Sequence, residues 1–285
     1  MTSIASTTKL CALIGDPVEH SLSPIMHNTA FHHLGLNYVY LCLKVKAANL
    51  RTAVEGIRSL GLVGVNVTIP HKVTVMKYLS EIDPTAKDIG AVNTVVNRDG
   101  VLKGYNTDGW GSLNALEEAG VAFRGKKVVL LGAGGAARAL SFCIAPLADV
   151  LVILNRTEEK AVDLASSLRR RFGKKIRGGP LHREVLAKEV DGADLLINST
   201  SVGMYPRGEE CLVDGSLLNS RMTVFDIVYN PQETRLLREA KSVGATTVGG
   251  LDMLVHQGAL SFQIWTGETP PIDVMFRAVE KVLEV

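Results

Sequence analysis

Apolar and polar positions divide the chain into short, nearly continuous apolar runs and longer segments whose apolar residues recur every three or four positions. The runs Lys9 to Gly15, Tyr38 to Val45 and Gly64 to Thr68 predict strands. Pro24 to Leu34 and Asn49 to Leu60 predict helices, the first with Ser23 as N-cap and Pro24 in the first helical position. A further helix is expected to open at Pro70 and run through Leu79. Strand and helix alternate, which predicts a parallel α/β sheet. Thr94 to Tyr105 predicts a hairpin turning at Asp99-Gly100. The helix Asp108 to Ala119 follows, and a domain boundary is expected near Thr107 to Gly109.

The second half starts again on a strand, Lys127 to Leu131, followed by a glycine-rich turn and the helix Ala136 to Leu147. Further strands are expected at Val150 to Leu154, Asp194 to Ser199 and Val224 to Val228, with helices between them. A last strand, Thr246 to Gly249, leads into helical segments Met253 to Thr266 and Ile272 to Leu283. No short repeat or low-complexity linker interrupts the pattern.

With 285 residues there is room for two domains, and with 46% hydrophobic and 21% charged residues there is apolar surface to build them. The net charge of +2 is too small to argue for nucleic acid or a membrane surface as partner. One basic cluster, Arg169, Arg170, Arg171, Lys174, Lys175 and Arg177, follows the helical segment Glu158 to Leu168 and reads as a solvated helix C-terminus. Cys11, Cys42, Cys143 and Cys211 are too far apart for a zinc or disulfide-exchange motif and read as free thiols in a reducing, cytoplasmic compartment. The histidines contain no HExxH, so no metal site is expected. No secretory signal is visible, and the longest apolar stretch, Val128 to Leu154, is broken by Arg138, Pro146, Asp149 and its glycines.

The first specific chemistry lies after Leu131. Gly132-Ala133-Gly134-Gly135-Ala136-Ala137 fits the pattern G-x-G-x-x-[GA], and it sits between a predicted strand and a predicted helix, where that pattern has meaning. Glycines there permit a tight turn and close approach of backbone to a pyrophosphate, and a helix N-terminus supplies free N–H groups. At the end of the next strand an NAD site usually carries a carboxylate for the ribose 2′-hydroxyl. This chain has Asn155-Arg156-Thr157 instead, with Lys160 close behind. A guanidinium can stack on adenine and bind a 2′-phosphate, so the expected cofactor is NADP. Thr157 is expected to cap the following helix, with Glu158 and Glu159 in its first turn.

The polar segments at the strand ends of the first half are candidates for substrate binding: Ser21-Leu22-Ser23-Pro24, Asn66 to Lys72, Ala91 to Thr94 and Asn106 to Gly109. Lys72 follows a proline turn near an expected helix start, where a cation opposes the helix dipole. Taken alone, the segment leaves it as either a solvated or a functional lysine. Asp108, Ser23 and Asn93 have equally ordinary readings as caps and turn residues, and His71 reads as a structural histidine.

Together these segments resemble the shikimate dehydrogenase family over nearly the whole chain. The resemblance rests on Gly15-Asp16-Pro17 with Ser21-Leu22-Ser23-Pro24, Asn66 to Lys72 (NVTIPHK), Gly90 to Thr94 (GAVNT) and Asn106 to Gly109 (NTDG). In the second half it rests on Gly132 to Ala136, Asn155-Arg156-Thr157, Asn198-Ser199-Thr200 with Gly203-Met204, Asp226 to Pro231 (DIVYNP) and Gly249 to Gly258 (GGLDMLVHQG). It implies two α/β domains around a cleft. A substrate-binding domain spans 1–107, with 251–285 packing back on it, and a Rossmann-type NADP-binding domain spans 108–250. It implies reversible reduction of 3-dehydroshikimate to shikimate, in chorismate and aromatic amino acid biosynthesis, by a monomer or homodimer without nucleic acid or membrane. Lys72 resembles the family's acid/base group and Asp108 its partner. Ser21 and Ser23 resemble the hydroxyls that bind the substrate carboxylate, with Tyr229 closing on it. Thr68, Asn93 and Gln257 resemble the groups that hold the ring hydroxyls. Gly250 and Met253, with Ile227 nearby, resemble the nicotinamide pocket. Asn155, Arg156, Thr157 and Lys160 fall where the family holds the 2′-phosphate.

An unperturbed lysine is a poor base at neutral pH. Burial lowers its pKa and a facing carboxylate raises it, so a charged hydrogen-bond donor to a developing alkoxide is an equally open role for Lys72. The alternatives are a quinate/shikimate dehydrogenase using NAD and a sensor that binds NADP without catalysis. Arg156 and Ser23 argue against the first, and the presence of both Lys72 and Asp108 argues against the second.

Overall fold

The protein is described over residues 4–283 in a computed structural model. It divides into two compact units. One holds the described residues up to Asp108 together with those from Val255 on, and the other is Gly109–Leu254.

The first unit is built on a sheet of β1 (Lys9–Gly15), β2 (Tyr38–Lys44), β3 (Gly64–Val67), β4 (Glu81–Ile82), β5 (Thr94–Arg98) and β6 (Val101–Tyr105), in the order β2-β1-β3-β5-β6-β4. Strand β1 is parallel to both neighbours, with Cys11 opposite Tyr40 on one side and Gly64 on the other. The sheet is mixed, not parallel throughout: β3 with β5 and β5 with β6 run antiparallel. The Asp99-Gly100 turn sets the second of these pairings, because both residues sit at positive φ, 51° and 85°, and reverse the chain within two residues.

Helices α1 (Ser23–His33) and α2 (Leu50–Ser59) follow the expected periodicity, with Leu50, Val54 and Ile57 on the buried face of α2. Ser23 does not cap α1. The helix starts at Ser23 itself, and the Ser23 N–H donates to Ser21 Oγ at 3.2 Å. No α-helix opens at Pro70. Lys72 lies in a turn ahead of a short 3-10 segment, Thr74–Tyr78. The consecutive β-branched residues Val73, Thr74 and Val75 explain the preference for a short tight turn. The dipole argument for Lys72 falls with that helix. Helix α3 (Pro84–Ile89) escaped the sequence reading although it is fully punctuated: Asp83 accepts from the Thr85 and Ala86 N–H groups, Pro84 opens it, and Gly90 ends it at φ 72°.

In the second unit, β7 (Lys127–Leu131), β8 (Val150–Asn155), β9 (Lys175–Pro180), β10 (Leu195–Asn198), β11 (Thr223–Asp226) and β12 (Thr246–Val248) form one sheet in the order β12-β11-β10-β7-β8-β9. Every pair is parallel. This is the doubly wound order of a dinucleotide-binding fold, with its switch point between β7 and β10. Around it stand α4 (Asp108–Glu118, whose first residue belongs to the first unit), α5 (Gly135–Ile144), α6 (Glu158–Phe172), α7 (Arg183–Val190) and α8 (Arg235–Ser242). Both sheet faces are buried in separate apolar clusters, one centred on Val128, Leu130 and Ile153 and the other on Val129, Leu131 and Val152.

The basic cluster divides between two elements. Arg169, Arg170 and Arg171 occupy the last turn of α6, which Gly173 closes at φ 64°. Lys175 and Arg177 belong to β9, an edge strand with only Ile176 buried among its apolar positions, and Arg177 is paired with Glu189 at 2.6 Å. Gly178 brings β9 against the Ala161 carbonyl of α6, at a place where a Cβ would overlap it. Thr157 occupies the N-cap position of α6 without a side-chain capping bond.

Helix α9 (Gly250–Thr266) starts in the second unit and ends in the first. Its later half is docked on the first unit's sheet by Trp265, whose indole N–H donates to the Val95 carbonyl of β5 at 3.0 Å. Gly64 makes room for that ring, since a Cβ there would overlap the indole nitrogen. Gly258 likewise lets α9 lie against Met26 of α1. Helix α10 (Ile272–Leu283) packs on α1. Among the described residues no helix is long and apolar enough to cross a membrane.

Candidate active site

Lys72 and Asp108, apart by 36 positions in the chain, meet in the first unit at 2.6 Å between Nζ and Oδ2. The pair is nearly enclosed, with side chains 15% and 4% exposed. The turn that carries Lys72 is held by the Val92 N–H, which donates to the Lys72 carbonyl at 2.8 Å. Asp108 is placed by its own N–H donating to Asn106 Oδ1 at 3.1 Å, and the Asn106 amide in turn donates to the Ala91 carbonyl. An ion pair this well enclosed is retained when both partners keep further hydrogen bonds, and Asp108 Oδ1 receives one from Asn93 Nδ2 at 2.9 Å.

The amide of Asn93 has only one consistent orientation. The Thr107 backbone N–H, which can only donate, lies 2.8 Å from Asn93 Oδ1. The NH2 end therefore faces Asp108, Thr107 Oγ1 at 2.8 Å and Gln257 Oε1 at 3.2 Å. Beneath Asn93 lies a further buried layer. Tyr40 donates its hydroxyl to Asn66 Oδ1 at 2.8 Å. Asn66 Nδ2 reaches the Asn93 carbonyl, Thr94 Oγ1 and Ser261 Oγ at 3.0 to 3.2 Å. The Ser261 and Thr94 hydroxyls are 2.7 Å apart.

Of the other residues singled out in the first unit, Ser23 is buried, while Ser21 and Thr68 are partly open. Thr68 and Gly15 approach so closely that a Cβ at Gly15 would overlap the threonine methyl, which packs the Asn66–Lys72 segment on the Gly15-Asp16-Pro17 turn. His71 is buried with Nε2 2.6 Å from the Val45 carbonyl, a structural arrangement.

In the second unit Gly132 leaves β7 at φ 110°, and a Cβ there would come within 2.8 Å of Ser199 Oγ. Ala133 is buried, Gly134 is the N-cap of α5, and Gly135 and Ala136 form its first turn. The face of Gly134 has no atom within 4 Å. An open glycine face at the N-terminus of a helix, above a switch point, fits a pyrophosphate. Asn155 ends β8 and donates to the Thr157 carbonyl at 2.8 Å, holding the turn that displays Arg156, Thr157 and Lys160 to solvent. The geometry thus suits the cofactor that Arg156 and Lys160 imply. Gly250 lies against the Ile227 and Val228 backbone, where a Cβ would overlap the Ile227 carbonyl, and Met253 and Ile227 pack in the same apolar cluster. Tyr229 is partly exposed in the loop after β11.

The loops around that end of the sheet are tied by Asp226, which opens the DIVYNP segment but to which sequence reading gave no role. Its Oδ1 receives Asn198 Nδ2 at 3.0 Å and the Val228 N–H at 3.1 Å, and its Oδ2 receives the Thr234 hydroxyl at 2.8 Å. Burial pushes its carboxyl up to about 6 against these donors. Ser261 was missed as well. The only trace it leaves is a small polar residue in the apolar run Ala259 to Phe262, one helical turn from Gln257.

A doubly wound dinucleotide-binding unit, with a second α/β unit carrying a buried lysine–carboxylate pair, defines the class of two-domain nicotinamide-dependent oxidoreductases. Comparison with known proteins narrows the class. Residues 13–95 match the model of the shikimate dehydrogenase substrate binding domain, 114–248 that of shikimate / quinate 5-dehydrogenase, and 250–280 that of the shikimate 5′-dehydrogenase C-terminal domain. The shikimate dehydrogenase (NADP(+)) of Methanocaldococcus jannaschii is 50% identical over 277 residues, covering 97% of this chain and 98% of that protein. Its counterpart from Methanopyrus kandleri is 52% identical over 280 residues, covering 97% of each. A crystal structure of a shikimate dehydrogenase in complex with NADP+ superposes with a TM-score of 0.92 at 48% identity, over 99% of this chain and 98% of that one. The chain belongs to the shikimate dehydrogenase family.

Proposed function

We propose that this protein catalyses the reversible, NADP-dependent reduction of 3-dehydroshikimate to shikimate, a step of aromatic amino acid biosynthesis. The observation that carries the reading is the enclosed Lys72–Asp108 pair at 2.6 Å, in a chain whose relatives bear the name shikimate dehydrogenase (NADP(+)) along their full length.

When bound, NADP supplies the carbon that takes or returns the hydride. In the direction of reduction, Lys72 Nζ donates a hydrogen bond to the substrate ketone oxygen and passes its proton to that oxygen as the alkoxide develops. In oxidation the same nitrogen takes the hydroxyl proton. Asp108 balances the lysine charge and, through its second oxygen, stays fixed on Asn93. Asn93 and Gln257, whose amides face each other at 3.2 Å, and Thr68 hold ring hydroxyls, and Ser21 and Ser23 hold the carboxylate. In the second unit Gly132 to Ala136 cradle the pyrophosphate, and Asn155, Arg156, Thr157 and Lys160 take the 2′-phosphate. Gly250, Met253 and Ile227 take the nicotinamide. We place the protein in the cytoplasm, as a monomer or homodimer. Its four cysteines are free thiols, as suits a reducing compartment.

Lys72→Ala tests the reading. General acid–base catalysis contributes about 10² to 10⁴ in rate, so kcat is expected to fall by about a thousandfold while shikimate binding stays measurable by calorimetry. Turnover near that of the unaltered protein would remove Lys72 from the mechanism.

A further inference from the structure

The buried hydrogen bonds under the candidate site converge on a residue that touches neither Lys72 nor Asp108. Ser261 is fully buried in the middle of α9. Its hydroxyl lies 2.7 Å from Thr94 Oγ1 and 3.3 Å from Thr107 Oγ1. It receives Asn66 Nδ2 at 3.0 Å and lies 3.0 Å from the Gln257 carbonyl one turn back; because Thr94 gives its own proton to Asn93 Oδ1, the serine proton goes to Thr94 Oγ1. It therefore joins β3 through Asn66, β5 through Thr94, and the segment before α4 through Thr107.

We propose that Ser261 is a positioning residue for the reaction: its hydroxyl fixes Thr94 and Thr107, these fix the amide of Asn93, and Asn93 fixes the carboxylate of Asp108. The inference rests on the functional reading above. The chain of contacts is continuous. Thr94 donates to Asn93 Oδ1 at 3.1 Å, and Thr107 Oγ1 receives Asn93 Nδ2 at 2.8 Å. The next link is Asn93 Nδ2 to Asp108 Oδ1 at 2.9 Å. Without the serine hydroxyl, the Thr94 and Thr107 hydroxyls lose a buried partner and turn to compete for Asn93 and for each other, already 3.4 Å apart.

Helix α9 is suited to the task. Gln257, Ser261 and Trp265 recur every four residues, so they share one face of the helix. Trp265 locks the helix to the Val95 carbonyl through the gap left by Gly64. Ser261, one turn up, engages the hydroxyl layer, and Gln257, another turn up, reaches Asn93 at 3.2 Å. The indole anchor thus sets the height at which the serine and the glutamine meet the site.

The experiment compares Ser261→Ala, Thr94→Val and Thr94→Ser with the unaltered protein, measuring kcat, the KM for shikimate and for NADP, and the thermal midpoint. Ser261→Ala and Thr94→Val are expected to lower kcat about tenfold, the loss of about one hydrogen bond's worth of alignment, with the KM for NADP unchanged. Thr94→Ser keeps the hydroxyl and is expected to hold kcat within about twofold. Since Thr94→Val nearly preserves shape, this pair tests the Thr94–Asn93 link of the chain even if Ser261→Ala does not fold. Undiminished kcat in Ser261→Ala or Thr94→Val would overturn the positioning role alone. So would losses that track the thermal midpoint equally in Thr94→Val and Thr94→Ser. Absence of shikimate turnover in the unaltered protein would overturn the functional reading and the positioning role with it.

Discussion

Asn93 shows how little freedom a single side chain retains in the site. The Thr107 N–H fixes which end of the amide faces Asp108, and the Thr94 hydroxyl adds a second donor to the same oxygen. Arg156 is the opposite case, an exposed side chain at the tip of β8 whose surroundings leave its role to charge alone. Replacing it with a carboxylate should repel a 2′-phosphate and offer an acceptor to a 2′-hydroxyl. Arg156→Asp is expected to lower the NADP-to-NAD ratio of kcat/KM by about a hundredfold, read from initial rates with each cofactor. An unchanged ratio would remove Arg156 from the 2′-phosphate site. At this scale the chain announces residues that sit in turns and at strand ends, because glycine, proline and polar runs mark those places. It gives no role to Ser261 or Asp226, whose importance comes from partners 195 and 28 positions away.

At the scale of elements, the glycines at crossings carry more than the apolar periodicity does. Gly64 sits in a fully buried strand, where any side chain would collide with the Trp265 indole and the Val95 carbonyl. Gly64→Ala should push α9 off the sheet and break the indole hydrogen bond. It is expected to destabilise the protein by about 2 kcal/mol, as overpacking does, measured by denaturant unfolding. A stability equal to that of the parent would show that α9 is not seated through this gap. Strands with continuous apolar runs, such as Lys9–Gly15 and Lys127–Leu131, were legible to the residue. Edge strand β9 was not, because its one buried apolar residue lies between charges and a Gly-Gly-Pro tail, so it reads as the end of a helix. The Pro70 segment misled in the other direction. Pro70 reads as a first helical residue, but the β-branched run Val73 to Val75 disfavours a helix, and Lys72 lies instead in the turn that meets Asp108.

For the whole molecule, alternation of strands and helices gave the α/β class, the glycine-rich turn after Leu131 marked the second unit as dinucleotide-binding, and the Asp99-Gly100 signal gave the β5–β6 hairpin; the pattern did not show that β3 and β5 pair antiparallel. Global stability should carry the mark of His27. It is fully buried among Phe31, Tyr40, Phe262 and Trp265, and neither ring nitrogen has a hydrogen-bond partner among the described residues. Burial holds its pKa down at about 3 against 6.5 for the free side chain. Between those values the unfolded chain binds a proton that the folded protein cannot. The stability this neutral ring preserves is therefore complete above the unfolded value and is lost as pH falls toward the folded one, by about 1.4 kcal/mol per pH unit. His27→Phe should unfold with a correspondingly shallower acid slope in denaturant titrations. Parallel slopes would mean that His27 is protonated in the folded state.

The account as a whole turns on one reaction, and steady-state turnover of shikimate and quinate, each with NADP and with NAD, reads it directly through the absorbance of the reduced nicotinamide. Rapid turnover with shikimate and NADP, and weak turnover with the other three pairs, is the predicted result. Turnover led by quinate with NAD, or none in any pair from folded protein that still binds NADP, would contradict it.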